Sequence, residues 1–489
     1  MITAAAYLIS LLLVFAAAFQ DRCRSRQVAM LAASYVFYAT GGIGFLAVLV
    51  ASSCLNFALG EYLRRKPDLK RLWIGILFNV LLLSFFKYLP SFGSAAVSTS
   101  WTADLLNRVA VPVGISFWTL LALSYLFDVY REEEINPSLL EFCLYMAFWP
   151  TVIMGPICRL STMLPQFQQV RGVAIEDVLA GARRIGIGLL MKVVLSQLLA
   201  SGLSGIDGVA AGFDREAQDW GGFDVWFLAV GFGFQLFFDF AAFSHIVIGA
   251  ARIFGFRLDE NFNSPYLSST PSEFWTRWHM SLSFWIRDYV FIPMAALRRG
   301  TLWRYFMLLF SMILFGLWHG AKATFILWGA YSGALLVLHR VSQQLQRRWG
   351  LNFSSRLAAT LSWAVSFLAV SLGWVFFRAN TLDQALRMVQ TVLAPVAYSR
   401  FVLPQSYYVL VSALVIGYFA IESISKALAS RSVLVSSPNT ATDFNAVSPF
   451  LWNARWWWLS PMIGALLLFH HFVVSTTNVD LTPFVYRLF

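Results

Sequence analysis

The chain has 489 residues, of which 58% are hydrophobic and 12% are charged, about half the charged share of a soluble globular domain. That balance excludes an ordinary soluble enzyme and points to one polytopic membrane domain over residues 1–489, with the lipid bilayer as its first partner. The net charge of +11 lies in short basic clusters between apolar runs, the pattern of cytoplasmic loops, and argues against nucleic acid as a partner.

Apolar runs long enough to count as helices in or across a membrane predict an all-α protein with roughly 11 to 13 such segments. In chain order they are Thr3–Phe19, Val28–Ala39, Phe45–Tyr62, Leu72–Phe92, Val109–Val129, Leu139–Ile157, Val178–Leu203, Phe223–Phe254, Leu302–Trp318, Ala323–Val341, Leu357–Phe377, Tyr407–Ile424 and Leu459–Val474. The first is not read as a signal peptide. No positive charge precedes it, and Arg22, Arg24 and Arg26 follow it, the reverse of a secretory leader. The second is short enough to be half-spanning, and Gly41-Gly42 turns it back. Clusters at Arg22–Arg26, Arg64–Arg71, Arg298–Arg304 and Arg340–Arg356 belong in the cytoplasm by the positive-inside rule. Cys23, Cys54, Cys143 and Cys158 form no Cys-x-x-Cys pair and read as buried, inert thiols rather than a disulfide or metal framework.

Residues 254–271 break the apolar pattern and include Pro265 and Pro271. Ser272 through Trp285 then show helical spacing with aromatic residues on one side, which predicts an amphipathic or re-entrant helix starting after Pro271. Next comes a hairpin whose tip is Trp318–Lys322. Its first arm, Leu302–Leu317, spans roughly 24 Å as helix, less than the ~30 Å hydrocarbon core, which places His319 below the outer surface. Ser425–Pro449 is the longest polar stretch and predicts a loop. No internal repeat suggests a transporter built from duplicated halves.

Ionisable groups inside apolar sequence are functional candidates by default. Asp239, His245, His279 and His319 all lie in the stretch from Phe237 to His319. A neutral imidazole can take the proton from a hydroxyl as its oxygen attacks a thioester. Spacing alone leaves His279 and His319 open between that role and hydrogen-bonded packing. His245, His339, His470 and His471 read as packing residues. Asp239, Arg277, Arg287 and Asp288 either brace helices by pairing or line a donor pocket. Trp275, Trp278, Trp285 and Trp318 either line an acyl tunnel or anchor the chain at the interface. Gly155-Pro156 reads as a helix break, since no nucleotide loop follows.

Six blocks in order change those odds. They are Pro112–Phe117 with Ser124-Tyr125 and Asp128–Arg131; Phe148–Pro150 with Gly155–Ile157 and Arg159; Asp239-Phe240 through Asn261–Tyr266; Glu273–Trp275 with Arg277–Ser283, Trp285 and Arg287–Tyr289; Gly316–Ala321; and Trp374–Ala379. Together they cover most of residues 110–380. The chain resembles the membrane-bound O-acyltransferase family, in particular its bacterial branch, which includes enzymes that O-acetylate alginate and D-alanylate teichoic acid. The resemblance implies helices ringed around a thin centre, with a pore that joins a cytoplasmic donor pocket to an outer acceptor funnel. It implies a catalytic core at 110–380, His319 as catalytic base and His279 as the second site residue. It also implies a bacterial inner-membrane O-acyltransferase. The acyl group, acetyl above others, would come from a cytoplasmic thioester, either acetyl-CoA or an acyl carrier protein, with no bound cofactor. The acceptor would be an exported polysaccharide or cell-wall polymer, reached with a periplasmic acyltransferase partner. D-alanyl transfer and a proton-relaying transporter or channel remain as alternatives. The chain departs from the pattern at Met294–Ala296, at His245 and at Lys322-Ala323.

Overall fold

A computed structural model describes residues 22–89, 110–169, 173–201, 208–214, 220–350 and 355–435. Within them every regular element is helical. The predicted segments Thr3–Phe19 and Leu459–Val474, with His470 and His471, lie outside the described residues.

Helices α1 (Cys23–Ala39), α2 (Ile43–Arg65) and α3 (Leu69–Lys87) follow one another through short turns. The short second segment is thus a 17-residue helix that takes in part of the first arginine cluster. Most of the α2 and α3 surface is apolar and open to lipid. Asn56 and Asn79, both fully buried, link the two helices through amides that exchange hydrogen bonds of 3.2 and 2.7 Å. Such side-chain amides tie membrane helices together where apolar surface has no preference between lipid and protein.

Helix α4 (Ile115–Tyr130) starts at Gly114, whose φ is 79°. A Cβ there would lie 2.0 Å from the Val152 carbonyl oxygen, so both the left-handed backbone and the close approach require glycine. The predicted span Leu139–Ile157 is not one helix. It is a nine-residue helix α5 (Leu139–Ala147) and an irregular buried stretch, followed by α6 (Leu160–Gln168). Pro150 and Pro156 remove two backbone donors from that stretch, and irregular backbone survives in a membrane domain where protein surrounds it. A capping box of Ser138 with Glu141 starts α5.

Helix α7 (Ile175–Leu190) continues through a π-helical turn, Met191–Ser196, into Gln197–Ser201. Helix α8 (Gly222–Ile253) is the axis of the fold. It has 32 residues and 83% of its most apolar window is buried, against 17–39% for the other long helices. A helix that is apolar all round belongs inside.

The predicted amphipathic helix over 272–285 is broken. It consists of α9 (Pro271–Trp275) and α10 (Met280–Ile286), and α10 runs on through a π-helical turn, Arg287–Phe291. The break falls on His279. Then come α11 (Thr301–His319), α12 (Ala323–Trp349), α13 (Arg356–Arg378), α14 (Leu382–Leu393) and α15 (Gln405–Val435). Helix α11 has 19 residues and is about 28 Å long. Trp318 and His319 therefore close its last turn instead of forming the hairpin tip, and burial rather than a short arm shields His319. Helix α15 extends through Val435, so the first part of the predicted Ser425–Pro449 loop is helical. Helix α14 is an addition to the predicted segments. Its Ala385, Met388 and Val392 face the protein, while Leu382, Leu386 and Leu393 are exposed.

Seven described helices, α2, α3, α8, α11, α12, α13 and α15, are long and apolar enough to cross a membrane. Helix α4 is apolar but shorter. Cys143 and Cys158 are buried as expected, whereas Cys54 is exposed on α2. Two hydrophobic cores form. One is built on α1–α6 with α10, and the other on α12–α15 with residues 266–278. Helix α8 supplies Phe240 and Val247 to the first and Phe234 and Phe238 to the second.

Candidate active site

The seam between those cores holds both histidines. His319 is the last residue of α11 and is 3% exposed. The α11–α12 hairpin is close-packed at Gly316, where a Cβ would lie 2.2 Å from the Phe325 carbonyl oxygen. This approach lays α12 against the imidazole. Its ring centroid is 5.4 Å from Trp328, 5.1 Å from Phe377 of α13 and 5.0 Å from Trp318. Phe315, one turn back, stacks on it at 5.5 Å.

His279 is fully buried and left-handed, with φ 41° and ψ 54°. A non-glycine residue held there stores about 1–3 kcal/mol of backbone strain and needs surroundings that enforce it. Asn261 supplies them. Its carbonyl accepts from Met280 N at 2.8 Å, its side-chain oxygen accepts from Ser281 Oγ at 2.6 Å, and its amide donates to Ser244 Oγ on α8 at 3.2 Å. The His279 ring meets Phe240 edge-on at 4.6 Å and Trp318 at 6.3 Å. The two imidazoles therefore share the Trp318 indole as a neighbour. Asn261→Ala removes the side-chain bonds to Ser281 and Ser244 inside the protein. It is expected to cost about 1–3 kcal/mol, read as a lower thermal midpoint in detergent. An unchanged midpoint would mean that other contacts hold the turn.

The remaining predicted positions fall into separate groups. Trp275 joins the aromatic enclosure one ring away from His319, at 5.1 Å from Phe315 and 5.8 Å from Trp328. Trp278 stacks on Phe274 and lies 4.9 Å from Trp374. A crevice beside them is lined by Trp275, Trp328, Tyr331, Gly373 and Trp374. Trp285 instead donates to the Leu120 carbonyl at 3.0 Å and fastens α10 to α4. Arg277 pairs with Glu273 at 2.6 Å. Arg287 and Arg159 both reach Asp288, at 2.6 and 2.7 Å, and Arg131 donates to the Asp288 carbonyl. Tyr289 beside them donates to Asp128 at 2.7 Å. Asp239 is buried and ion-paired with Lys192 from the π-helical turn, with Ser196 Oγ at 3.4 Å. His245 lies on α8, and His339, on α12, is 3.1 Å from Gln343.

Residues 72–379, more than half of the chain, match one family, described as the membrane-bound O-acyltransferase family. The chain belongs to that family. This O-acyltransferase is 32% identical to a probable alginate O-acetylase of Pseudomonas fluorescens, over 95% of each chain. It is 32% identical to a peptidoglycan O-acetyltransferase of Helicobacter pylori, over 73% of its own length and 72% of the relative's. A teichoic acid D-alanyltransferase of Streptococcus thermophilus is 32% identical over 49% of the chain and 58% of the relative. Residues 444–489 also match a family of unknown function and lie outside the described residues. The O-acyltransferase is thus a multi-pass bacterial membrane enzyme.

Sequence reasoning on this O-acyltransferase missed three contributors to the site. Asn261 and Trp374 stand inside two of the recurring blocks, which was the available signal, but nothing in the pattern gave them roles. Trp328 lies on the face of α12 that meets α11, beside Gly329, where a Cβ would lie 2.3 Å from the Met312 carbonyl oxygen. Helical periodicity alone reads such a residue as core.

Proposed function

We propose that the enzyme moves a short acyl group, acetyl above others, from a cytoplasmic thioester to an exported polymer. The donor is acetyl-CoA or an acylated carrier protein. The acceptor is the hydroxyl of a polysaccharide or cell-wall polymer outside the bacterial inner membrane, with a periplasmic acyltransferase completing delivery. The observation that carries this reading is the pair of buried imidazoles meeting at Trp318 within a shell of aromatic rings. His319 takes the proton from the acceptor hydroxyl as its oxygen bonds to the thioester carbonyl carbon. The carbon–sulfur bond then breaks, and the leaving thiolate recovers the proton. His279 positions or polarises the carbonyl. The aromatic shell keeps water, the competing nucleophile, away from the thioester.

Trp275, Trp278 and Trp318 line the acyl path in this reading. Asp239, Arg277, Asp288 and Trp285 act as braces, since each is engaged with a neighbouring element or turn, whereas Arg287 pairs with the adjacent Asp288 inside one turn. Acetyl is favoured over D-alanyl because likeness to the alginate O-acetylase spans nearly the whole chain, and likeness to the D-alanyltransferase about half.

The test is the identity of the acid released by mild alkali from surface polymers of cells that express the protein. Acetate is expected. Alanine would replace the donor by a D-alanyl carrier. No added ester, together with no thioester turnover by purified protein, would overturn both the donor and the acceptor proposed here.

A further inference from the structure

The last turn of α11 is held from outside by the end of α3, a contact the proposed reaction does not use. A helix ends with four carbonyls that lack intrahelical partners. In α11 these include Leu317 and Trp318, directly before His319. Tyr88 donates its hydroxyl to the Leu317 carbonyl at 2.8 Å, a carbonyl that Gly320 N also reaches at 3.1 Å. Lys87 donates its ammonium to the Trp318 carbonyl and to Ser116 Oγ, the latter at 3.1 Å. The same ammonium lies 5.3 Å from the Trp318 ring centre. Trp318 Nε1 completes the cluster by donating to the Ser116 carbonyl at 3.3 Å. Three elements, the ends of α3 and α11 and the start of α4, therefore meet around one cation.

A cation at a helix C-terminus complements the dipole and the orphan carbonyls together. Charge-assisted bonds of this kind are stronger and more directional than neutral ones. A lysine at the end of an apolar span usually extends to the membrane surface; this one turns onto protein and is half-buried.

We propose that Lys87 and Tyr88 are positioning residues for His319: they fix the last turn of α11, and with it the direction in which the imidazole faces Trp318 and His279. The inference rests on His319 being the base of the proposed reaction.

The test uses full-length protein in cells and in detergent, with Lys87→Met, Lys87→Arg and Tyr88→Phe. At matched membrane levels, polymer ester content is expected to fall about ten- to a hundredfold in Lys87→Met, since misplacing a catalytic group by about 1 Å has effects of that order. Tyr88→Phe should lose about threefold, and Lys87→Arg should recover most of the wild-type level. With purified protein and acetyl-CoA as the probe, Lys87→Met should lower kcat and leave KM within about twofold. Wild-type ester content in Lys87→Met would overturn the proposal. So would a fall that simply follows loss of protein from the membrane and of thermal midpoint in Lys87→Met and Lys87→Arg alike. Absence of esters in the wild type would count against the proposed function, and wild-type inertness towards acetyl-CoA alone against the donor.

Discussion

His319→Ala is expected to lower polymer-linked esters by about a hundred- to ten-thousandfold, the usual contribution of a positioned general base, while the protein stays in the membrane. The loss follows from position. The imidazole stands among Phe315, Trp328 and Phe377 at this end of α11, rings that offer no proton acceptor to replace it. Alanine also leaves a gap among those rings, so His319→Gln, closer in volume, is the necessary companion. Both variants should lose activity, and His319→Gln should keep the wild-type thermal midpoint more closely. Ester content is read by alkaline release at matched membrane levels. Normal ester content in either variant would remove His319 from the chemistry.

The second large effect concerns stability. Lys192→Met strips the buried Asp239 carboxylate of its ammonium, and breaking a buried pair from one side costs about 3–5 kcal/mol. Much of the protein should disappear from the membrane. Adding Asp239→Asn should restore most of it, because the remaining group is neutral and a fully removed pair is often harmless. Thermal midpoints of the two single variants and the double variant check this. Additive losses would show that each residue matters for its own packing. If Asp239 instead took part in transfer, the double variant would be stable but inactive, which ester content reads separately.

The fold class was legible because apolar runs near membrane length leave little choice of structure. The two histidines stood out because each sits in a distinctive block, and the fold brings both against Trp318. Irregular structure was less so. Nothing in Leu139–Ile157 except Pro150 and Pro156 marked it as non-spanning, and a buried irregular stretch has the same composition as a buried helix. The break at His279 was hidden because aromatic residues continue at helical spacing on both sides of it, while the cause lies in Asn261, some twenty residues earlier. Lys87 was invisible for a further reason: a single lysine at a span's end carries no record of where its ammonium turns. The ion pair of Lys192 with Asp239 joins residues 47 apart, and periodicity speaks only about neighbours on one helix.

The seam between the two cores also bears on biogenesis. One wall around the His319 imidazole is complete only after α12 and α13 have left the ribosome, since Phe325, Trp328 and Phe377 come from them. The N-terminal helices are made far earlier. A nascent or truncated chain can therefore bury its first core and still lack a shielded imidazole. On the proposed mechanism the enclosure that excludes water therefore forms late in synthesis, and a chain that ends before α12 leaves the His319 imidazole open on that side.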